Sequence, residues 1–241
     1  MPAAAPSITA FFPAYNDAKT IGLLVEQVNG ALRELTDRYE IVVVNDGSRD
    51  DTAAVLEALK PAYPNLRVIH HPQNRDYGGA LRSGFGAATG DLVFYTDGDG
   101  QYDPREIRLL MDAMTPEIDV VQGYKRKRHD PLLRIVLGKA YRQAVKRLFS
   151  LRVRDIDCDF RLIRRSALSQ VDLTVNSGAI CVELIRKLQD QGARFLEVPV
   201  HHFERAHGSS QFFAFGRLWR MSRDLLRLRV ELSAGQWLRP H

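Results

Sequence analysis

Glu40-Ile41-Val42-Val43-Val44-Asn45-Asp46-Gly47-Ser48 is a β-branched apolar run that stops at four turn-forming residues, the form of a short strand buried on both faces. Upstream, Ser7 to Phe12 is a second apolar run, ending at Pro13. Between them Ile21, Leu24, Val25, Val28, Leu32 and Leu35 recur at helical spacing, with Asn16 or Asp17 as a cap. The unit is therefore β-α-β. Downstream the alternation continues with a helix over Asp51 to Leu59, a strand at Leu66 to His70 and a helix from about Gly79 to Ala88. A strand at Asp91 to Tyr95, a helix after Pro104 and a strand at Asp119 to Gln122 follow. Alternation with short connections predicts an α/β fold, a mostly parallel sheet covered by helices, with ligands at the carboxyl ends of the strands.

The 241 residues suit one large α/β domain, and 45% hydrophobic with 26% charged residues exclude wholesale disorder, a collagen-like chain and a coiled coil. Lys and Arg number 34 against 29 Asp and Glu, a formal +5 that favours an anionic partner: phosphate, nucleic acid or a lipid surface. The charges are not evenly spread. Acidic and small residues gather at the predicted strand ends, in Pro13 to Asp17, Asn45 to Ser48 and Thr96 to Gln101, whereas basic residues crowd between Lys125 and Arg165. Leu132 to Phe149 reads as an amphipathic helix with a basic face in this C-terminal half, and Phe212 to Val230 as another. Two cysteines, Cys158 and Cys181, argue against a disulfide scaffold or zinc module and for a reducing cytosol. No segment reaches the roughly 18 uninterrupted apolar residues of a spanning helix, so membrane contact is expected to be peripheral.

Asp97-Gly98-Asp99 directly follows the apolar run Leu92 to Tyr95. Two carboxylates flanking a glycine can converge on a hard cation such as Mg²⁺ or Mn²⁺ and leave positions open for phosphate oxygens, with Gln101 as a neutral oxygen ligand. A solvated Asp-Gly turn is the alternative. Asn74-Arg75-Asp76-Tyr77-Gly78-Gly79 precedes a predicted helix, and its glycines permit close backbone approach to a phosphate or ribose.

As an ordered set, Pro13-Ala14-Tyr15-Asn16-Asp17, Val42 to Thr52 and Asp97-Gly98-Asp99-Gly100-Gln101 resemble the signature of family 2 glycosyltransferases with the GT-A fold. Asp157-Cys158-Asp159-Phe160-Arg161 and Arg205-Ala206-His207-Gly208-Ser209-Ser210-Gln211 resemble two stretches of its polyprenyl-phosphate branch, the dolichol-phosphate mannose synthase type. That branch often has Ser-Gly-Phe-Arg where this chain has Cys158-Asp159-Phe160-Arg161, and Ser-Lys where it has Ser210-Gln211. The resemblance runs from about Ser7 to about Gln211. It implies one catalytic domain over 1–241, with 7–122 for nucleotide sugar and metal, 123–211 for acceptor, and 212–241 as a C-terminal amphipathic helix and tail. Pro13, Tyr15 and Asp17 would frame the nucleoside and Asp46 would hydrogen-bond the base. Asp97 and Asp99, with Gln101 assisting, would hold Mg²⁺ or Mn²⁺ and the diphosphate.

The reaction so implied is a single inverting displacement at the anomeric carbon of a GDP- or UDP-linked mannose or glucose. The implied acceptor is a polyprenyl phosphate, dolichyl or undecaprenyl, on the cytoplasmic face of a membrane. A phosphate monoester, with a second pKa of about 6, is largely dianionic at neutral pH and needs steering by cations more than a base. Lys125, Arg134 and Arg205 are the candidates, against a plain solvated basic face. A hydroxyl acceptor needs a base instead, for which Asp157 is the first choice and Asp155 and Asp159 are competitors. A basic nucleic-acid-binding protein is the reading from another class. Nucleic acid is not expected, because carboxylates at the strand ends would repel a polyanion. The donor base, the sugar and self-association stay open.

Overall fold

The computed structural model describes residues 5–126, 132–203 and 215–233, with backbone alone for 132–137, 139–140, 215, 217 and 218. In chain order the first half contains β1 (Ile8–Ala14), α1 (Ile21–Arg33), β2 (Tyr39–Asn45), α2 (Thr52–Leu59), β3 (Leu66–His70), α3 (Asp76–Ala87) and β4 (Leu92–Thr96). A 3₁₀ turn at Pro104–Glu106 leads into α4 (Ile107–Ala113) and β5 (Val120–Lys125). The remainder contains α5 (Leu132–Leu148), β6 (Phe160–Arg164), α6 (Arg165–Leu168), α7 (Ile180–Asp190), β7 (Phe195–Val200) and α8 (Phe215–Ser233).

The seven strands form one sheet in the order β3-β2-β1-β4-β6-β5-β7. All pairings are parallel except those of β6, which runs antiparallel to both β4 and β5. This reversal positions the site. The six parallel strands end at one edge of the sheet, and β6 begins there, so Asp155 to Asp159 arrive at the edge from which the loops after β1, β2 and β4 leave, next to the loop after β4.

Both faces are covered, which is why the central strands are apolar without interruption. Ala10, Phe12, Ile41, Val43 and Phe94 pack with Leu24, Val25 and Val28 of α1 and Leu110 of α4. Phe11, Val42, Val44, Val93 and Tyr95 face α3, α7 and α8 through residues such as Leu81, Ile185 and Leu225. β1 runs on past the expected break at Pro13. It pairs with β4 only as far as Phe11, and Ala14 O accepts from Asp46 N on the β2 side, so Pro13 turns toward a side with no ladder to interrupt. α3 starts at Asp76, three residues earlier than its sequence pattern predicts.

α8 has two apolar stripes. Met221, Leu225 and Leu228 are buried against the sheet, whereas Trp219, Leu226 and Val230 are 65–69% exposed among Arg220, Arg223, Arg227 and Arg229. Among the described residues no helix is long and apolar enough to cross a membrane. Cys158 and Cys181 are both buried free thiols.

Candidate active site

The loops after β1 and β2 are laced together. Asn16, at φ 58°, accepts from Arg49 N through Oδ1 and donates its own N–H to Ser48 Oγ. Asp17 accepts from Tyr15 N at 2.9 Å and donates its N–H to Thr52 Oγ1. Pro13, Tyr15 and Asp17 are half-buried along this rim. Gly47 sits at φ +66°, where a Cβ would come within 2.5 Å of Asn74 N, so the turn after β2 touches the backbone after β3. A cavity of about 400 Å³ opens here, lined by Gly47, Ser48, Arg49, His71, Gln73 and Asn74.

Asp46 stands behind that cavity with a side chain only 4% exposed. Its Oδ1 meets His71 Nδ1 at 2.6 Å and accepts from Arg75 N at 2.9 Å, while His71 Nε2 lies 2.8 Å from Ser83 Oγ. With a neutral imidazole and an ionised Asp46, Nδ1 carries the proton and Nε2 accepts from the serine hydroxyl. Asp46 thus fixes the floor of the cavity and the start of α3 from inside.

The turn after β4 crosses the end of β1. A Cβ on Gly98 would lie 2.2 Å from Pro13 O, a backbone atom, which is the physical reason for glycine between the two aspartates. Asp99 Oδ1 accepts from Gln101 N at 3.0 Å, closing the turn. Gln101 and Phe203 are tied twice, Gln101 Nε2 to Phe203 O at 2.9 Å and Phe203 N to Gln101 O at 2.8 Å, so the chain leaving β7 braces this turn. Asp97 Oδ1 accepts from Tyr77 OH at 2.7 Å. Burial, then the charges of Asp159 and Asp99, hold the Asp97 carboxyl well above the usual carboxylate range. A cation would relieve that crowding. Among the described residues no group of three or more His, Cys, Asp or Glu side chains is placed to hold one. The donor set is two carboxylates, as Mg²⁺ uses when phosphates complete its shell.

Across the edge, the residues before β6 arrive. Asp159 Oδ1 is within reach of Arg161 Nη1 at 3.1 Å, Cys181 Sγ at 3.2 Å and Tyr95 OH at 3.3 Å. Its proton affinity is also raised, chiefly by burial. Arg161, 1% exposed, donates further to Gln122 Oε1 and Ile156 O and fixes this loop. Asp157 faces outward with a side chain 40% exposed, 3.8 Å from Arg142, and its carbonyl accepts from Lys125 Nζ at 2.9 Å. Lys125 also lies 5.8 Å from the centre of the Tyr102 ring.

The structure therefore brings Asp97, Asp99, Gln101, Lys125 and the Asp157 to Arg161 stretch to one edge. Of the three acidic candidates for a base, Asp159 is the one that presses on Asp97, more strongly than Asp99 does. Arg134 lies on α5, of which only the backbone is described there, and Arg205 with its motif to Gln211 is outside the described residues. Three contributors carried no individual sequence signal. His71 is a lone histidine after a strand, Arg142 is one basic residue among many, and Tyr77 is one aromatic residue inside the Asn74 to Gly79 stretch.

Solved structures share this architecture. Glucosyl-3-phosphoglycerate synthase from Mycobacterium tuberculosis, in complex with Mn²⁺, UDP and glucosyl-3-phosphoglycerate, superposes with a TM-score of 0.69 at 21% identity, covering 92% of this chain and 78% of that one. A mannosyltransferase from Pyrobaculum calidifontis in complex with GDP-Man and Mn²⁺ gives 0.67 at 19% identity, covering 94% and 66%. At these identities the likeness concerns the fold. The sequence itself matches the model of glycosyl transferase family 2 over residues 9–172, a span that contains every strand-end loop described above except the one after β7. With more than half its length matched, this chain belongs to the family 2 glycosyltransferases.

Proposed function

We propose that the protein transfers a hexosyl group, mannose or glucose, from a GDP- or UDP-linked donor to a polyprenyl phosphate at a membrane surface. The observation that carries this reading is the juxtaposition of the Asp97-Gly98-Asp99 turn with Lys125 and Arg142 at one sheet edge. Asp97 and Asp99 would hold Mg²⁺ or Mn²⁺, the ions present with nucleotides in the solved neighbours. Bound there, the ion supplies Lewis-acid stabilisation of charge on the departing diphosphate. The cavity beside Gly47 and Asn74 receives the nucleoside, with Asp46 beneath it and Pro13, Tyr15 and Asp17 in the adjoining loop after β1, which is tied to the loop after β2. Lys125 and Arg142 neutralise the acceptor phosphate, which arrives already deprotonated. The exposed stripe of α8, apolar and flanked by arginines, suits an anionic bilayer that carries such a lipid.

The test is incubation with nucleotide sugars, Mn²⁺ and polyprenyl phosphate, with organic extraction of labelled sugar. Metal-dependent appearance of lipid-linked hexose is the expected result. Release of nucleotide with no lipid product would overturn the acceptor. A second reading, transfer to a hydroxyl, draws on the half-buried Asp159 carboxylate beside Asp97, whose raised proton affinity suits a base. Under it Asp159→Asn abolishes turnover, whereas a phosphate acceptor leaves measurable activity. Asp157→Asn makes the same distinction for the outward-facing carboxylate.

A further inference from the structure

We infer that Tyr77 is a positioning residue for the metal carboxylate Asp97. The inference rests on the reading of Asp97 and Asp99 as metal ligands and goes beyond it by naming what aims one of them. Tyr77 donates its hydroxyl proton to Asp97 Oδ1 at 2.7 Å, and the same hydroxyl also meets the Asp159 carboxylate. Its ring is half-buried against the core beneath α3, so the hydroxyl is delivered from a fixed platform.

That platform is held from a distance. Gly78 N donates to Asn176 O at 2.7 Å, and a Cβ on Gly78 would lie 2.5 Å from Val175 O, so the start of α3 is seated directly on the backbone of residues 175–176. Arg82 Nη1 donates to Asn176 Oδ1 at 2.9 Å, pinning the same residue from the next turn of α3. The segment is anchored in turn by α7. Buried Glu183 accepts from Thr174 N, Thr174 Oγ1 and Val175 N, and Lys187 Nζ, paired with Glu183 at 2.7 Å, donates to Asp172 O. A continuous chain of contacts therefore runs from a buried ion pair on α7, through residues 172–176, to the hydroxyl on Asp97. Partners that orient a metal ligand typically change metal affinity by about 10–100-fold when removed.

The experiment is Mn²⁺ titration of the full chain followed by electron paramagnetic resonance, with UDP or GDP present, for wild type, Tyr77→Phe and Asp99→Asn. Tyr77→Phe keeps the ring, so its thermal midpoint should stay close to wild type. Its Mn²⁺ dissociation constant should rise about tenfold, and its turnover should return toward wild type at saturating Mn²⁺. Equal Mn²⁺ affinity in wild type and Tyr77→Phe, with Asp99→Asn weakened, overturns the role of Tyr77 alone. Absence of Mn²⁺ binding by wild type overturns the metal site and this inference with it. If Tyr77→Phe is unstable, Arg82→Lys loosens Asn176 from a distance and must weaken Mn²⁺ in the same direction, or the relay is wrong.

Discussion

Asp97, Gly98 and Asp99 fail in different ways because the fold uses them differently. Asp99 closes its own turn by accepting from Gln101 N, and it is not in the buried core. Asp99→Asn keeps that acceptor and loses only charge, so kcat should fall by about a hundredfold or more while the thermal midpoint barely moves. Steady-state kinetics beside a melting curve check both. Gly98→Ala is the reverse case. Its new methyl meets Pro13 O at 2.2 Å, and backbone must move to admit it, so denaturant titration should show a loss of about 1–3 kcal/mol together with impaired turnover. The Asp-Gly-Asp turn was legible in the sequence because everything that makes it a turn is local. Asp46 was legible as a strand-end carboxylate, but its partners were not: His71 lies 25 residues away and reaches it only because β3 pairs beside β2.

α8 and α7 carry the predictions that belong to whole elements. On α8, Trp219 and Leu226 are about two-thirds exposed, so Trp219→Asp with Leu226→Asp should leave stability within about 0.5 kcal/mol. The same pair should abolish co-sedimentation with anionic vesicles. Retained co-sedimentation would show that this face is not the contact. On α7, Lys187→Met strands the Glu183 carboxylate, 0% exposed, and loss of one partner of such a pair typically costs about 3–5 kcal/mol, readable in urea. The first five strands and the helices between them were readable from hydrophobic pattern, because parallel strands covered on both faces are apolar runs. β6, α7 and β7 had no sequence expectation. β6 places Arg161 in the core, α7 buries Glu183 and Lys187, and β7 is half-exposed, so none shows the clean period of its element. Arg161 is held by Asp159 and by Gln122 of β5, and Glu183 and Lys187 neutralise each other one turn apart, so charges that a local pattern reads as surface lie inside.

At the scale of the molecule, one reversed strand organises the chemistry. Because β6 runs against β4 and β5, the Asp155 to Asp159 segment and Lys125 come to the carboxyl edge that the loops after β1, β2 and β4 already occupy. The acidic turn and the basic residues that the sequence keeps apart become neighbours there, and the net +5 is the residue of two opposed clusters. Nucleotide and divalent ion should bind this edge together and depend on the same two aspartates. Thermal denaturation with UDP, GDP and their hexose conjugates, with and without Mn²⁺, measures this directly. At a ligand concentration one hundred times its dissociation constant, stabilisation is about 2.7 kcal/mol, or a rise of roughly 5–10 °C for a chain of this size. That rise is expected for at least one nucleotide only when Mn²⁺ is present, and it should be lost in Asp97→Asn and Asp99→Asn. A midpoint that no nucleotide moves, or one that moves equally in both variants, would contradict this.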